Sequence, residues 1–415
     1  MHPSYLIIAD DLSGAADCAA GFARAGLASE VLLGADAPAP GADVVTVDTD
    51  SRRDDAATAA AKARAALARH GAGRRVVKKI DSTLRGGWAA EVAALQAALG
   101  LALVAPAFPA LGRTVRDGTV RVDGTPLQDT ATWRLEHAGR ESRPLPMLQA
   151  AGLRCEPVDA ALLKGAPGAL LRRIAEARAR ACQALVFDTE SAEQLAALAR
   201  ATHALPDAFW VASAGLAGEL AACAVPAGSP GPDADADRPA IAGRGLLTVV
   251  GSLSPIAERQ IDRLRATPGT TVHAIAPRLL RPDPAPDAGE AAWARTIRAD
   301  LAQGRDPVAC IGADAALDPA EGPRLARHLA LQLAPAMRGA AGLVLTGGET
   351  ARAMLGQLGI GRLRVLGESE PGVVLSRSMS DRPQYIATKA GAFGDAGSLE
   401  RARQAMRQRL APAAP

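Results

Sequence analysis

Short, β-branched apolar runs alternate along this chain with longer Ala- and Leu-rich stretches whose apolar positions recur at helical spacing. In the first half, YLIIA (5–9), SEVLL (29–33), DVVTV (43–47), RVVKKI (75–80) and LALVAP (101–106) read as strands. Gly14 to Ala25, Asp54 to His70 and Gly86 to Leu99 read as the helices between them. ALVFD (184–188), a helix from Ala192 to His203 and FWVAS (209–213) continue the alternation. Strands alternating with helices of this length predict an α/β domain with a mostly parallel sheet. From Arg113 to Thr132 closely spaced glycines and polar turns interrupt the rhythm, and predict a hairpin or an inserted lobe.

The stretch PAGSPGPDADADRPAIAG (226–243) has no amphipathic period and is rich in Pro, Gly and Asp, as a linker would be. The pattern then starts again. LLTVVG (246–251), TVHAI (271–275), PVACIG (307–312) and GLVLTGG (342–348) read as strands. Helices are expected over Ser254 to Arg265, Ala291 to Gln303, Pro319 to Met337 and Glu349 to Leu358. Strands near Arg364 to Leu366 and Tyr385 to Thr388 precede a basic amphipathic C-terminal helix. The expected fold is therefore two α/β domains with mostly parallel sheets, 1–225 and 244–415, joined by a linker over 226–243. Ligands of such sheets bind at the carboxyl ends of strands. Two rims of that kind suit a transferase with its active site in the cleft between the domains.

Composition narrows the classes. Of 415 residues, 48% are hydrophobic and 22% charged, which is globular rather than disordered. Net charge is only +3 and aromatics only 3%, so neither a nucleic-acid surface nor a base-stacking platform is expected. No apolar run approaches the ~20 residues needed to span a bilayer. MHPSYLIIADDLSG lacks a basic leader, and its apolar run stops at Asp10-Asp11, so it reads as a first strand rather than a signal peptide. Five scattered cysteines without CxxC spacing predict free thiols in a reducing cytoplasm, and no zinc site. The six histidines have no paired ligand spacing, and no GxSxG elbow is present.

The polar residues that follow the apolar runs are the candidate chemistry. Asp10-Asp11-Leu12-Ser13-Gly14 places two carboxylates at a strand end, fit to hold a polyol or a metal-bound phosphate, unless Asp10 or Ser13 simply caps the helix. Asp48-Thr49-Asp50-Ser51-Arg52 adds a guanidinium suited to a carboxylate or phosphate. Lys78-Lys79-Ile80-Asp81-Ser82-Thr83-Leu84-Arg85-Gly86-Gly87 packs cations, a carboxylate and hydroxyls into one turn, as binding of a polyhydroxy acid requires. Prolines stiffen the loop that aims Arg113. In the second half three glycine turns stand at strand ends: Gly251-Ser252, Thr346-Gly347-Gly348-Glu349-Thr350 and Lys389-Ala390-Gly391. Glycine turns that open helices expose amides to anions, so three together point to phosphate. None is a Walker loop or a dinucleotide fingerprint, which argues against a dehydrogenase.

In order along the chain, the runs IADDLSGAAD, DTDSR, KKIDSTLRG, VAPAFPALGRTV, DGTPLQDT, GSLSP, LVLTGGETA, GESEPGV and KAGAFGD resemble the hallmark stretches of the four-carbon acid sugar kinase family. The likeness spans Ile7 to Asp395, with Ser13 where the family usually has Thr and Ala16 near an Asn-like position. It implies an N-terminal substrate domain, a C-terminal nucleotide domain, and ATP-dependent phosphorylation of the 4-hydroxyl of D-threonate, D-erythronate or a 3-oxo-tetronate. By the same likeness Asp11, Arg52 and Asp81-Ser82-Thr83-Leu84 hold the acid sugar, while Ser252, Gly347, Gly348, Glu349, Thr350 and Gly391 hold ATP. Mg²⁺ is expected to travel with the phosphates rather than in a protein cage. Asp11 or Asp81 is the candidate general base, with Asp11 preferred because a second carboxylate precedes it. A non-catalytic two-domain sugar-acid sensor is the alternative, and would not need the glycine turns. The preferred acid and the oligomeric state, a homodimer included, stay open.

Overall fold

The computed structural model describes residues 3–37, 41–137, 139–225, 243, 245–281, 289–312, 314, 318, 321–391 and 393–411. The chain separates into two compact units, Met1–Pro232 and Asp233–Pro415. The linker expected over 226–243 lies outside the described residues apart from Gly243.

In the N-terminal unit the strands are β1 (Tyr5–Ala9), β2 (Ser29–Leu33), β3 (Val44–Asp48), β4 (Arg75–Lys79) and β5 (Leu101–Ala105). There follow β6 (Arg113–Arg116), β7 (Thr119–Val122), β8 (Thr125–Pro126), β9 (Cys155–Val158), β10 (Ala184–Phe187) and β11 (Ala208–Ala212). Eight of these make a sheet of order β2-β3-β1-β4-β11-β5-β10-β9, parallel throughout. Its strands are largely buried because both faces are covered, and most of their residues are apolar. Tyr5 and Ile7 of β1 join the core on one face, and Leu6 and Ile8 the core on the other. The interruption after residue 112 is the small antiparallel sheet β6-β7-β8, the inserted lobe the glycines predict.

The C-terminal unit contains β12 (Leu246–Val250), β13 (Val272–Ile275), β14 (Val308–Ile311), β15 (Gly342–Thr346), β16 (Arg362–Glu370), β17 (Val373–Ser378) and β18 (Tyr385–Lys389). They lie in the order β13-β14-β12-β15-β18-β17-β16, parallel from β13 to β18 and antiparallel beyond. The first four strands of each unit have the same order: the second outermost, then the third, the first and the fourth. Each chain path therefore reverses direction between its first and fourth strands, β1/β4 and β12/β15. Such a reversal opens the crevice in which α/β sheets bind ligands. Among the described residues no helix is long and apolar enough to cross a membrane.

Candidate functional site

In the N-terminal unit the carboxyl ends of three neighbouring strands, β3, β1 and β4, meet at the reversal point. Asp11 follows β1 and is the N-cap of the helix Leu12–Arg24, accepting from the Gly14 amide at 3.1 Å. The cap is therefore Asp11 and neither Asp10 nor Ser13, because β1 ends at Ala9 and the helix starts at Leu12. Asp10 is buried, and burial pushes its carboxyl up, but Arg52 opposes this and, with Lys78 and Lys79 behind it, holds the group below its ordinary value. The Arg52 fork reaches both aspartates. Its Nε donates to Asp10 Oδ2 at 2.8 Å, and its Nη2 to Asp10 Oδ1 at 2.9 Å and Asp11 Oδ1 at 2.7 Å. The like-charge pair visible in the sequence is therefore bridged by a cation, which removes the reason for preferring Asp11 over Asp81 that the paired carboxylates suggested. Among the described residues both hydrogen bonds to Asp11 fall on Oδ1 and none on Oδ2.

After β4, Asp81 accepts from Thr83 Oγ1 at 2.7 Å and pairs with Arg85. Burial raises its carboxyl, yet Arg85, Arg52 and Lys79 outweigh this and hold it far below the usual carboxylate range. Leu84 occupies the left-handed region at φ 56° with its side chain buried, and Gly86 follows at φ 83°. A Cβ on Gly86 would lie 2.8 Å from Asp10 Oδ2, so glycine lets this turn close against the Arg52–Asp10 pair. A strained backbone at Leu84 costs on the order of 1–3 kcal/mol and persists where packing over-determines it.

The adjacent lysines point to opposite faces of β4, as strand geometry requires. Lys79 is buried on the Gly14 side: a Cβ on Gly14 would be 2.6 Å from both Lys79 Nζ and Asp11 Oδ1. Lys78 turns the other way and pairs with Glu91 at 2.9 Å, both fully buried. Glu91 also accepts from Ser51 Oγ at 2.8 Å, and Thr49 Oγ1 lies 2.8 Å from that hydroxyl. This network pins the loop that carries Arg52. Lys78 thus belongs to the support of Arg52 rather than to the cations around Asp81. Arg113 opens β6 and donates to the Leu111 carbonyl; among the described residues no hydrogen bond or ion pair links it to the Arg52–Asp81 cluster.

The C-terminal unit repeats the placement with different chemistry. Its three glycine turns follow β12, β15 and β18, which are neighbours in the sheet. Gly347 has φ 93° and is the N-cap of the helix Gly348–Gln357, with no side chain capping it. The positive φ lies on Gly347, not Gly348. The approach is close: a Cβ on Gly251 would be 1.8 Å from Thr350 Oγ1, and one on Gly391 would be 2.6 Å from Ser252 Oγ. Ser252 Oγ donates to Ser254 Oγ at 3.1 Å, which in turn donates to the Gly391 carbonyl at 3.2 Å. Ser252, Gly347, Thr350 and Gly391 therefore converge, and an uncapped helix start beside them has amides to offer an anion.

Two family models cover most of the chain: a sugar-binding N-terminal domain over residues 5–220 and a nucleotide-binding C-terminal domain over 247–399. The chain is 46% identical to a D-threonate kinase of Cupriavidus necator, over 99% of its own length and 100% of that protein's. The chain belongs to the four-carbon acid sugar kinase family. It is also 31% identical to a 3-oxo-tetronate kinase of Methylobacterium radiotolerans, over 95% of this chain and 97% of that one. A solved Salmonella typhimurium chain described as a putative tRNA synthase shares the fold, with a TM-score of 0.80 at 22% identity over 98% of this chain and 100% of its own. Lys79, Arg85 and Lys389 stand inside the family's motifs, yet nothing in their spacing marks which way each side chain points.

Proposed function

We propose that this protein is an ATP-dependent kinase that phosphorylates the 4-hydroxyl of a four-carbon acid sugar, D-threonate first among the candidates, in the reducing cytoplasm. The observation that carries the reading is that one chain holds both a charged, hydroxyl-rich rim for a polyhydroxy acid and a rim of converging glycine turns for phosphate. The 46% relationship to a D-threonate kinase supports the choice of acid. The described cysteines are free, which suits that compartment.

In this reading Arg52 orients Asp10 and Asp11 and offers its remaining edge to the substrate carboxylate. Asp81, held ionised, orients hydroxyls together with Ser82 and Thr83, and the constrained Leu84 keeps that turn in place. Asp11 Oδ2 takes the proton of the attacking hydroxyl as the new O–P bond forms and the bond from the γ-phosphorus to the bridging oxygen breaks, releasing ADP. Arg113 is placed nearer the lobe than the cluster, and contributes at the edge of the acid. Ser252, Gly347, Gly348, Glu349, Thr350 and Gly391 receive the nucleotide. The hydroxyls of Ser252 and Thr350 and the carboxylate of Glu349 are hard oxygen donors, and so fit Mg²⁺ that keeps phosphate and water as its other ligands. When bound, the ion neutralises phosphate charge.

A coupled ADP-release assay over D-threonate, D-erythronate, L-threonate and 3-oxo-tetronates tests this. Turnover fastest with D-threonate is expected. Binding of the acids without ADP release from any of them would make the protein a sensor and reject the kinase reading.

A further inference from the structure

Lys389 closes β18 with its side chain almost fully buried, at 1% exposure. A lysine at a strand end ordinarily extends its ammonium to water. Here the side chain folds back on the loop that follows it. Nζ donates to the carbonyls of Ala390 at 2.9 Å, Gly391 at 3.5 Å and Phe393 at 2.7 Å. An ammonium has three hydrogens, and this one meets three backbone oxygens. The Lys389 carbonyl accepts from the Gly347 amide at 2.9 Å, so the same residue ties the turn after β18 to the turn after β15. Buried Gln260 supports the far side of the loop, donating to the carbonyls of Phe393 at 3.3 Å and Asp395 at 2.7 Å.

A trans peptide directs its carbonyl and the next amide in opposite directions. Drawing the Ala390 carbonyl towards Nζ therefore turns the Gly391 amide away from the lysine, and among the described residues that amide takes no hydrogen bond. Gly391 is also the residue packed on Ser252, with no room for a Cβ. We infer that Lys389 is a positioning residue for the nucleotide's phosphates: by holding three carbonyls inward, its ammonium keeps the turn after β18 in the shape that aims the Gly391 amide at the ligand. This rests on the reading of the C-terminal unit as the nucleotide site. Burial pushes the Lys389 ammonium down to about 8, against the pull of Glu370. A side chain needed only to fill that space would be apolar and carry no such desolvation penalty.

The test uses the full-length protein, with ADP as the probe in calorimetry. Lys389→Met is expected to weaken ADP binding roughly ten- to a hundredfold, and to raise KM for ATP by a like factor. KM for D-threonate and kcat at saturating ATP are expected to hold, as is the melting temperature. Wild-type ADP affinity in the variant overturns the inference. So does a parallel fall in ADP affinity, D-threonate affinity and melting temperature, which marks a purely structural role. If Lys389→Met fails to fold, Lys389→Gln, which keeps two donors without the charge, is expected to lose affinity by a smaller factor, and wild-type affinity in it overturns the inference. Absence of ADP binding to the wild type rejects the nucleotide reading itself, whereas wild-type binding with an unaffected variant rejects only the role of Lys389.

Discussion

The rims of the two units are built on the same strand order and differ in what carries the charge. In the N-terminal unit Asp10, Asp11 and Asp81 face Arg52, Lys79 and Arg85, and side chains do the work. In the C-terminal unit glycines bring backbone close, and Lys389, the buried cation beside them, is turned onto carbonyls. The difference follows from the ligands each rim is proposed to take. A small acid with several stereocentres is distinguished by donors and acceptors at fixed points, which paired side chains supply. A polyphosphate is recognised by charge and by a dense set of amides, which side chains would obstruct. A fixed topology thus accommodates both tasks by exchanging side-chain chemistry for backbone at the same strand ends.

The largest effect that would separate the rims is expected from Asp11→Asn. If Oδ2 accepts the proton, kcat falls about 10²–10⁴-fold with little change in KM for ATP, while Asp81→Asn acts mainly on KM for the acid. Steady-state kinetics at saturating acid decides between them; near-normal turnover in Asp11→Asn with loss in Asp81→Asn reverses the roles. Next comes Gly391→Val, whose side chain would enter the space of Ser252 Oγ, 2.6 Å from the first added carbon. ADP affinity should fall on the order of a hundredfold with D-threonate binding intact, as titration of each ligand would report. Arg52→Lys keeps the charge but loses the fork that joins Asp10 to Asp11, so KM for the acid should rise roughly tenfold or more and KM for ATP should not. Equal changes in both would mean that Arg52 does not serve the acid alone.

The smallest effect concerns pH. The folded-state value of about 8 for Lys389 lies below the ordinary lysine value. Above pH 8 the folded protein gives up a proton that the unfolded chain keeps until about 10.4. This residue's contribution to stability therefore rises with pH across that window. ADP affinity should move the other way, declining a few-fold as the ammonium is lost. Glu370, on β16, is the acidic group that acts on it, and is itself paired with Arg401, which also holds Asp395. Comparing wild type with Lys389→Met from pH 7 to pH 9.5 isolates the effect; an identical pH dependence in both would remove it.

Much of this architecture is legible in the chain because strands covered on both faces read as unbroken apolar runs. SEVLL matches β2 residue for residue, and most other predicted strands end within a residue or two of their place. The strand Cys155–Val158 escaped because Glu156 and Pro157 make it look like a turn, which an edge position allows. The helix Ala214–Ala224 escaped because AGLAGELAACA has little contrast between its faces. The antiparallel pair β16–β17 is longer than the short strand expected there, since bulges at Val365/Gly367 and Glu368/Glu370 break its alternation. At the site, Asp11, Arg52 and Asp81 could be located because each follows an apolar run. The bridge from Arg52 to Asp10 and Asp11 could not, because it spans 42 and 41 residues of chain, whereas Thr83 and Arg85, the partners of Asp81, are its near neighbours. Lys389 makes no ion pair among the described residues; carbonyls of its own loop hold it, and Glu370 acts on it from another strand.

The place of β11 in the N-terminal sheet sets a condition on how the chain acquires its structure. β4 and β5 follow each other in sequence but are separated in the sheet by β11, which pairs with both. The last strand of the unit is thus inserted at its middle, and a ribosome-bound chain that has emerged only as far as β10 holds two half-sheets with facing unpaired edges. Closing them joins segments distant in sequence, a slow step that leaves apolar strand edges open in the interim. Pulsed hydrogen exchange during refolding should show Ile80 and Leu101, whose amides donate to the carbonyls of Ala212 and Asp207, gaining protection together with Trp210 and not before it. Protection of β4 ahead of β11 would mean that the half-sheets are stable alone. A newly made chain keeps those edges unpaired for as long as it takes to translate the inserted lobe and the helices that follow it.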